Sequence, residues 1–166
     1  MRTRFKIWIS LPMTFFATTV VMMLFSGHSL SAQELNASDG EANDDFGGSV
    51  SLSGNTGLIS APEDDNDGID SGSAYIFRNL DTVTGTVSES VKLIASDGAD
   101  GDQFGTSVSL SGNTGLIGVF GDVDNGERSG SAYLFRDLDT ATGTVNESVK
   151  LLPSCLLYTS PSPRDS

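Results

Sequence analysis

Histidine occurs once, at position 28, cysteine once, at 155, and tryptophan once, at 8. A single cysteine cannot form an internal disulfide, so no disulfide framework holds this fold together. Basic side chains are scarce: 9 Lys and Arg stand against 22 Asp and Glu, a net charge of −13 over 166 residues. So acidic a chain has too little positive charge to displace counterions from phosphate, which excludes a nucleic-acid binder. The length allows one small domain and disfavours a two-domain enzyme. At 37% hydrophobic and 8% aromatic residues the chain is too apolar for a disordered acidic tail.

The two ends differ from the middle. Arg2, Arg4 and Lys6 precede an apolar run from Ile7 to Phe25, and small residues follow up to Ala32. Residues 1–32 therefore read as an export signal cleaved after Ala32 or Ser31, with an uncleaved anchor as the alternative. His28 lies in that segment, so the mature chain is expected to hold no histidine for acid–base work or metal binding. At the other end, Cys155 to Asp165 (CLLYTSPSPRD) breaks every preceding pattern. It resembles the translation of a transposase sequencing adapter; a genuine Pro/Ser-rich tail is the alternative. On the first reading residues 155–166 are not native, the only cysteine carries no chemistry, and the natural chain runs on past Ser154. Residues 33–154 keep 5 basic and 21 acidic side chains, 5 − 21 = −16, so the acidity belongs to the middle.

What fills the middle is a repeat. Residues 37–94 and 95–152 align without a gap, with 39 of 58 positions identical, and SVSLSGNTGLI recurs unchanged at Ser49–Ile59 and Ser107–Ile117. A fixed period of this size marks a repeat architecture. Ser49–Ser53 alternates small polar with apolar residues, as a strand buried on one face does. Gly54-Asn55 suits a two-residue hairpin turn because both residues tolerate positive φ, and Thr56–Ala61 is the return strand. Gly72–Arg78 predicts a third strand buried on both faces, with Ala74 and Ile76 on one and Tyr75 and Phe77 on the other. Val87–Ala95, reached through the polar loop Asn79–Gly85, predicts a fourth. No segment of the repeats has helical periodicity. Four short antiparallel strands per repeat, stacked on similar repeats, make the blades of an all-β propeller.

Phe46-Gly47 followed by Ser60-Ala61-Pro62 resembles the FG-GAP repeat, the blade motif of the integrin-alpha β-propeller. The second copy keeps Phe104-Gly105 but has Gly118-Val119-Phe120 in place of the Gly-Ala-Pro segment. The SGSAY-F-R strand, Ser71–Arg78 and Ser129–Arg136, is similar to bacterial repeats of this type. The resemblance implies a propeller in an exported or surface protein, concerned with binding or adhesion. It also implies a calcium loop of DxDxDG type between the two motif halves. Here that interval holds Ser53-Gly54-Asn55-Thr56-Gly57 with no carboxylate, so the family's calcium site does not carry over.

Carboxylates gather in the next loop instead. Asp64, Asn66 and Gly68 share a D-x-[DN]-x-G frame with Asp122, Asp124 and Gly126. Hard oxygens at alternate positions before a turn glycine suit Ca²⁺, which makes Asp64, Asn66, Asp122 and Asp124 the candidate metal ligands; a solvated acidic turn is the alternative. Asp39-Gly40 with Asp44, and Asp97-Gly98 with Asp102, read as turn-makers. Phe46 and Phe104 read as blade-packing core, and Asn36-Ala37-Ser38 and Asn146-Glu147-Ser148 fit a glycosylation sequon.

Catalysis has little to work with. The acids lie in polar turns where nothing would raise a pKa, and no serine with a base or phosphate-cradling loop is present. The expected function is a non-catalytic exported binding or adhesion module, partnered by an extracellular protein or glycan and by neighbouring blades. It has no membrane span once the signal is removed. The alternatives are a structural spacer or passenger region of a larger surface protein, or a propeller attached to an enzyme domain outside residues 1–166. Closure of six to eight such units takes on the order of 350–460 residues. Two blades alone are expected to be marginal, with open edges and exposed Tyr75/Phe77-type faces.

Overall fold

The computed structural model describes residues 33–126 and 128–154; the signal-like segment 1–32 and the tail 155–166 lie outside them. Among the described residues all regular structure is strand, and no helix is long and apolar enough to cross a membrane. The first repeat contributes β2 (Val50–Ser53), β3 (Thr56–Ala61), β4 (Ser73–Phe77), β5 (Gly85–Ser88) and β6 (Val91–Ile94). The second contributes β7 (Phe104–Ser111), β8 (Thr114–Val119), β9 (Ser131–Phe135), β10 (Gly143–Asn146) and β11 (Val149–Leu151). A short strand, β1 (Gln33–Asn36), precedes both.

Each blade is an antiparallel sheet with the same internal order, β6-β4-β3-β2 and β11-β9-β8-β7. The hairpin falls where the Gly-Asn dipeptide predicts it: Ser53 faces Thr56, and Ser111 faces Thr114. Only the glycine of each turn uses positive φ, 59° at Gly54 and 58° at Gly112, so the left-handed residue is the first of the two. The third strand is buried on both faces as its sequence implies. Ala74 and Ile76 join the larger core with Leu58, Leu93 and Ile117, while Tyr75 and Phe77 pack with Ala37 and Ala61.

Two expectations need correction. Val87–Ala95 is not one strand: it divides into β5 and β6, which serve different sheets. β6 pairs antiparallel with β4 in its own blade, whereas β5 runs parallel to β1, Gln33 opposite Gly85. Adding the 58-residue period to that pair gives Val91 and Gly143, which are paired in the same way between β6 and β10. The fourth strand of each repeat is thus handed back to the last strand of the preceding unit, and β1 stands in for that strand ahead of the first repeat. The chain breaks at Glu89-Ser90 because both residues are tied elsewhere. Ser90 N donates to Ile76 O at 2.7 Å, and the Glu89 carboxylate accepts Ser38 N at 2.9 Å. The second correction concerns exposure. Tyr75 and Phe77 are fully buried, and the exposed apolar residues include Val50, Leu52, Leu116 and Leu151.

The blades are joined by side-chain to main-chain bonds. The hydroxyls of Ser49, Ser51 and Ser53 accept the amides of Val108 (3.1 Å), Leu110 (2.9 Å) and Gly112 (3.0 Å). The small polar residues of SVSLS therefore form a ladder against the same segment of the next repeat. Arg78 adds a clasp, its guanidinium donating to the carbonyls of Leu138 and Ala141. The Phe104-Gly105 turn seats on the first blade, with Phe104 N donating to Ser71 O at 2.9 Å. That approach needs Gly72, at φ 84°, because a Cβ there would strike the Phe104 main chain. Gly85 has a similar φ of 81° but open space around it. Gly72→Ala is therefore expected to cost more than about 2 kcal/mol and Gly85→Ala about 1 kcal/mol. Chemical denaturation of the two variants measures both, and equal losses would contradict the close approach.

Candidate functional site

The acidic loops do not stand free in solvent. Asp64, at the end of the hairpin formed by β2 and β3, is buried, and its Oδ1 accepts Asn66 N at 2.9 Å. Its Oδ2 is shared by the Tyr75 hydroxyl (2.6 Å), the Ser73 hydroxyl (2.8 Å) and the Lys92 ammonium (3.2 Å). Lys92 also donates to Asp39 Oδ2 at 2.5 Å and to Asn66 Oδ1 at 3.2 Å, and sits 5.4 Å from the centre of the Tyr75 ring. Lys92 reaches this place because β6 lays it directly opposite Tyr75 on β4, with Val91 and Leu93 turned to the other face of the sheet.

The second repeat builds the same cage. Lys150 Nζ lies 2.6 Å from Asp97 Oδ2, 2.7 Å from Asp122 Oδ2 and 2.6 Å from Asp124 Oδ2. Asp122 Oδ1 accepts Asp124 N at 2.9 Å, and Tyr133 Oη bridges Asp97 (2.8 Å) and Asp122 (3.0 Å). The motif phenylalanines complete each cluster: Phe46 lies tilted by 55° at 5.8 Å from Tyr75, and Phe104 lies edge-on at 5.6 Å from Tyr133.

Asp64 and Asn66, and Asp122 and Asp124, thus come together around a positive charge as their spacing implies, and that charge is a lysine ammonium. Calcium wants six to eight oxygens. The buried carboxylate oxygens here already accept hydroxyl, amide and ammonium donors, and the lysine head occupies the centre. The donor set fits an ammonium and does not fit Ca²⁺ while the lysine is in place. Among the described residues no group of three or more His, Cys, Asp or Glu side chains is arranged to hold a metal ion. Asp44 and Asp102 act as turn-makers, accepting Glu41 N at 2.5 Å and Ala99 N at 2.9 Å. Asp39 and Asp97 do more than that by reaching the lysines. Sequence reasoning passed over Lys92 and Lys150. The available signal was a lysine kept inside an apolar V-K-L strand in both copies of a chain with few cations.

Electrostatics follow from this packing. Burial works to raise the Asp122 carboxyl, but Lys150, the Asp124 amide and the Ser131 and Tyr133 hydroxyls outweigh it and hold it at about 2. Burial is likewise overcome at Asp39 by Lys92 and at Asp97 by Lys150, and both lie below the ordinary carboxylate range. Asp102 is raised by burial. Burial pushes both tyrosines up, with Asp64 adding to the effect at Tyr75 and Asp97 at Tyr133. Lys150 is raised: burial opposes it, but Asp122, Asp124 and Asp97 prevail.

The chain matches the FG-GAP repeat family over residues 31–77 and 87–135, more than half its length, and belongs to that family. The two matched units run in the same phase, the first taking in β1 and the second β6, as the strand pairing requires. FG-GAP repeats are blades of β-propellers, and the all-β sheets described above are of that class. No curated protein matches the chain.

A depressed folded pKa gives stability that is present above the ordinary carboxylate value, about 3.9, and is lost as pH falls through the folded one. Asp122, Asp97 and Asp39 therefore predict a stability that declines from about pH 5 towards pH 2, with Asp102 opposing the trend. Lys150→Met leaves Asp122 buried without its counter-charge and should cost about 3–5 kcal/mol at neutral pH. It should also flatten the acid decline, as denaturant melts at several pH values would show. Wild-type melting temperature should be the same in chelator and in millimolar Ca²⁺; a calcium-dependent rise would mean that the metal displaces the lysine.

Proposed function

We propose that this chain is a non-catalytic, exported β-propeller module that works by binding. The observation that carries the proposal is the charge state of the caged groups. Asp122 is held ionised, Lys150 protonated, and Tyr75 and Tyr133 neutral, each by its neighbours. A general acid or base needs a pKa near the working pH, and these clusters push theirs away from it. Their conserved geometry in the two repeats serves cohesion of the blade instead.

Binding has a surface available beside the first cage. A cleft of about 400 Å³ is lined by Asp39, Glu41, Asp44, Glu63, Asp65 and Asp70 among others. The exposed carboxylates on its walls suit an extracellular protein or glycan that presents donors or positive charge. Lys92 and Lys150 supply a cation in each acidic loop. A spacer role competes with this proposal because so much of each repeat is spent on contacts with the next one. Arrays of extracellular proteins and glycans probed with the full chain separate the two. Glu41→Gln with Glu63→Gln and Asp65→Asn should leave folding intact, since all three are exposed, and weaken a true ligand about tenfold. Absence of saturable binding to any array member favours the spacer, and turnover of a hydrolase substrate by the chain would overturn both.

A further inference from the structure

Each cage holds a buried amine against side-chain carbonyls, and the two copies differ in one chemical respect. The Lys92 side chain is 9% exposed and that of Asp64 6%. Lys92 Nζ meets Asp39 Oδ2 at 2.5 Å, Asp64 Oδ2 at 3.2 Å and Asn66 Oδ1 at 3.2 Å. Lys150 Nζ meets Asp97, Asp122 and Asp124 in the matching places. Where the second repeat presents a carboxylate, at Asp124, the first presents a carboxamide, at Asn66.

That exchange changes what the amine can react with. An ionised carboxylate repels a nucleophile and holds no good leaving group, so Lys150 and Asp124 remain an ion pair. A carboxamide is neutral, its carbon is electrophilic, and ammonia can depart from it. Asn66 Cγ lies at most one carbonyl bond, about 1.2 Å, beyond the oxygen that Nζ already touches. A small rotation of the amide therefore brings nitrogen and carbon to a near-attack separation of about 3–3.5 Å. The base is already in place, since Asp64 Oδ2 faces the same nitrogen. Moving one proton from Nζ to Asp64 turns two charges into two neutral groups, the change that a poorly solvated site penalises least.

We propose that Lys92 and Asn66 of the folded chain join in an amide bond between Nζ and Cγ. The ammonium contact is the form from which the bond is made. Asp64 takes one proton from Nζ, the Nζ–Cγ bond forms, and the carbonyl electron pair moves onto Oδ1. A second proton passes from Nζ to Nδ2, the Cγ–Nδ2 bond breaks as the carbonyl re-forms, and ammonia leaves. It carries off the proton from Asp64 as ammonium, so the chain loses one positive charge. Asn66 is exposed, which gives the leaving group a path to solvent. Asp64 keeps the Tyr75 and Ser73 hydroxyls and the Asn66 main-chain amide as donors. The reaction happens once per chain and ties the loop after β3 to β6, with no external co-reactant.

A tryptic map of the full chain, purified after prolonged incubation in the folded state, tests this. A map is needed besides the whole mass, because an N-terminal glutamine also loses ammonia. The bond should abolish cutting after Lys92 and attach the segment ending at Arg78 to the segment from Asn79 to Arg128. The branched product should be lighter than those two segments by one ammonia. Asn66→Asp copies the second repeat into the first and should restore linear peptides. Asp124→Asn copies the first into the second at an exposed position and should add a second branch, at Lys150. Linear wild-type peptides, fully cut after Lys92, would overturn the proposal. A wild-type branch between Asp124 and Lys150, or an Asp124→Asn chain without the second branch, would overturn the role given to the amide.

Discussion

In each blade a lysine ammonium is held among aspartates, two at Lys92 and three at Lys150, and against a tyrosine, and the path of the loops depends on it. Lys92 draws together Asp39 from the segment before the Phe-Gly turn, Asp64 from the loop after β3, and Tyr75 from β4. These segments are far apart in sequence and carry much of the repeat's negative charge. With 5 cations against 21 anions in residues 33–154, mutual repulsion works against their approach. Burying a carboxylate is tolerable only with a counter-charge and satisfied oxygens, and among the described residues no buried side-chain polar atom lacks a partner. The acidic composition and the compact loops are reconciled at this point.

The aromatic motif belongs to the same unit. Phe46 lies tilted against Tyr75 and edge-on to Phe77, and Phe104 lies edge-on to Tyr133 and Phe135. The motif phenylalanine therefore packs against the same tyrosine ring that the lysine contacts. The glycine beside it permits the turn to lie against the neighbouring blade, where Gly105 faces Ser60 and the Ser73 carbonyl. Cage, motif and blade-to-blade contact are consecutive layers of one packing arrangement. Each layer repeats at 58 residues because the contacts between units are made by the same side chains that define the unit.

Much of the blade was legible in the sequence. Alternation in Ser49–Ser53, the Gly-Asn turn and the two-faced third strand each follow from local rules, and Ala74, Tyr75, Ile76 and Phe77 fall on the faces their order implies. The fourth strand was not legible, because Val87–Ala95 reads as one strand while its halves pair with different partners. Exposure at the open ends was also misassigned to Tyr75 and Phe77. These rings are covered by Ala37, Ala61 and the partly buried Val87 of their own repeat and by Leu35 of β1, a contact that no local pattern reveals. The spacing of Asp64 with Asn66 and of Asp122 with Asp124 points to calcium, whereas the cation that the fold brings to these oxygens is a lysine ammonium.

By itself the sequence determined the period, the strand-rich blade, the acidic loops and membership of a repeat architecture. These are properties of neighbouring residues and of self-similarity, and they need no knowledge of what lies across the fold. Tertiary structure decided the rest: that the cation in each loop is Lys92 or Lys150, that β5 and β10 are lent to a neighbouring unit, and that serine hydroxyls join the blades. Each of these depends on residues about 10 to 60 positions apart meeting at hydrogen-bond distance. Only the register of the strands, set by packing on both faces of the sheet, fixes such meetings.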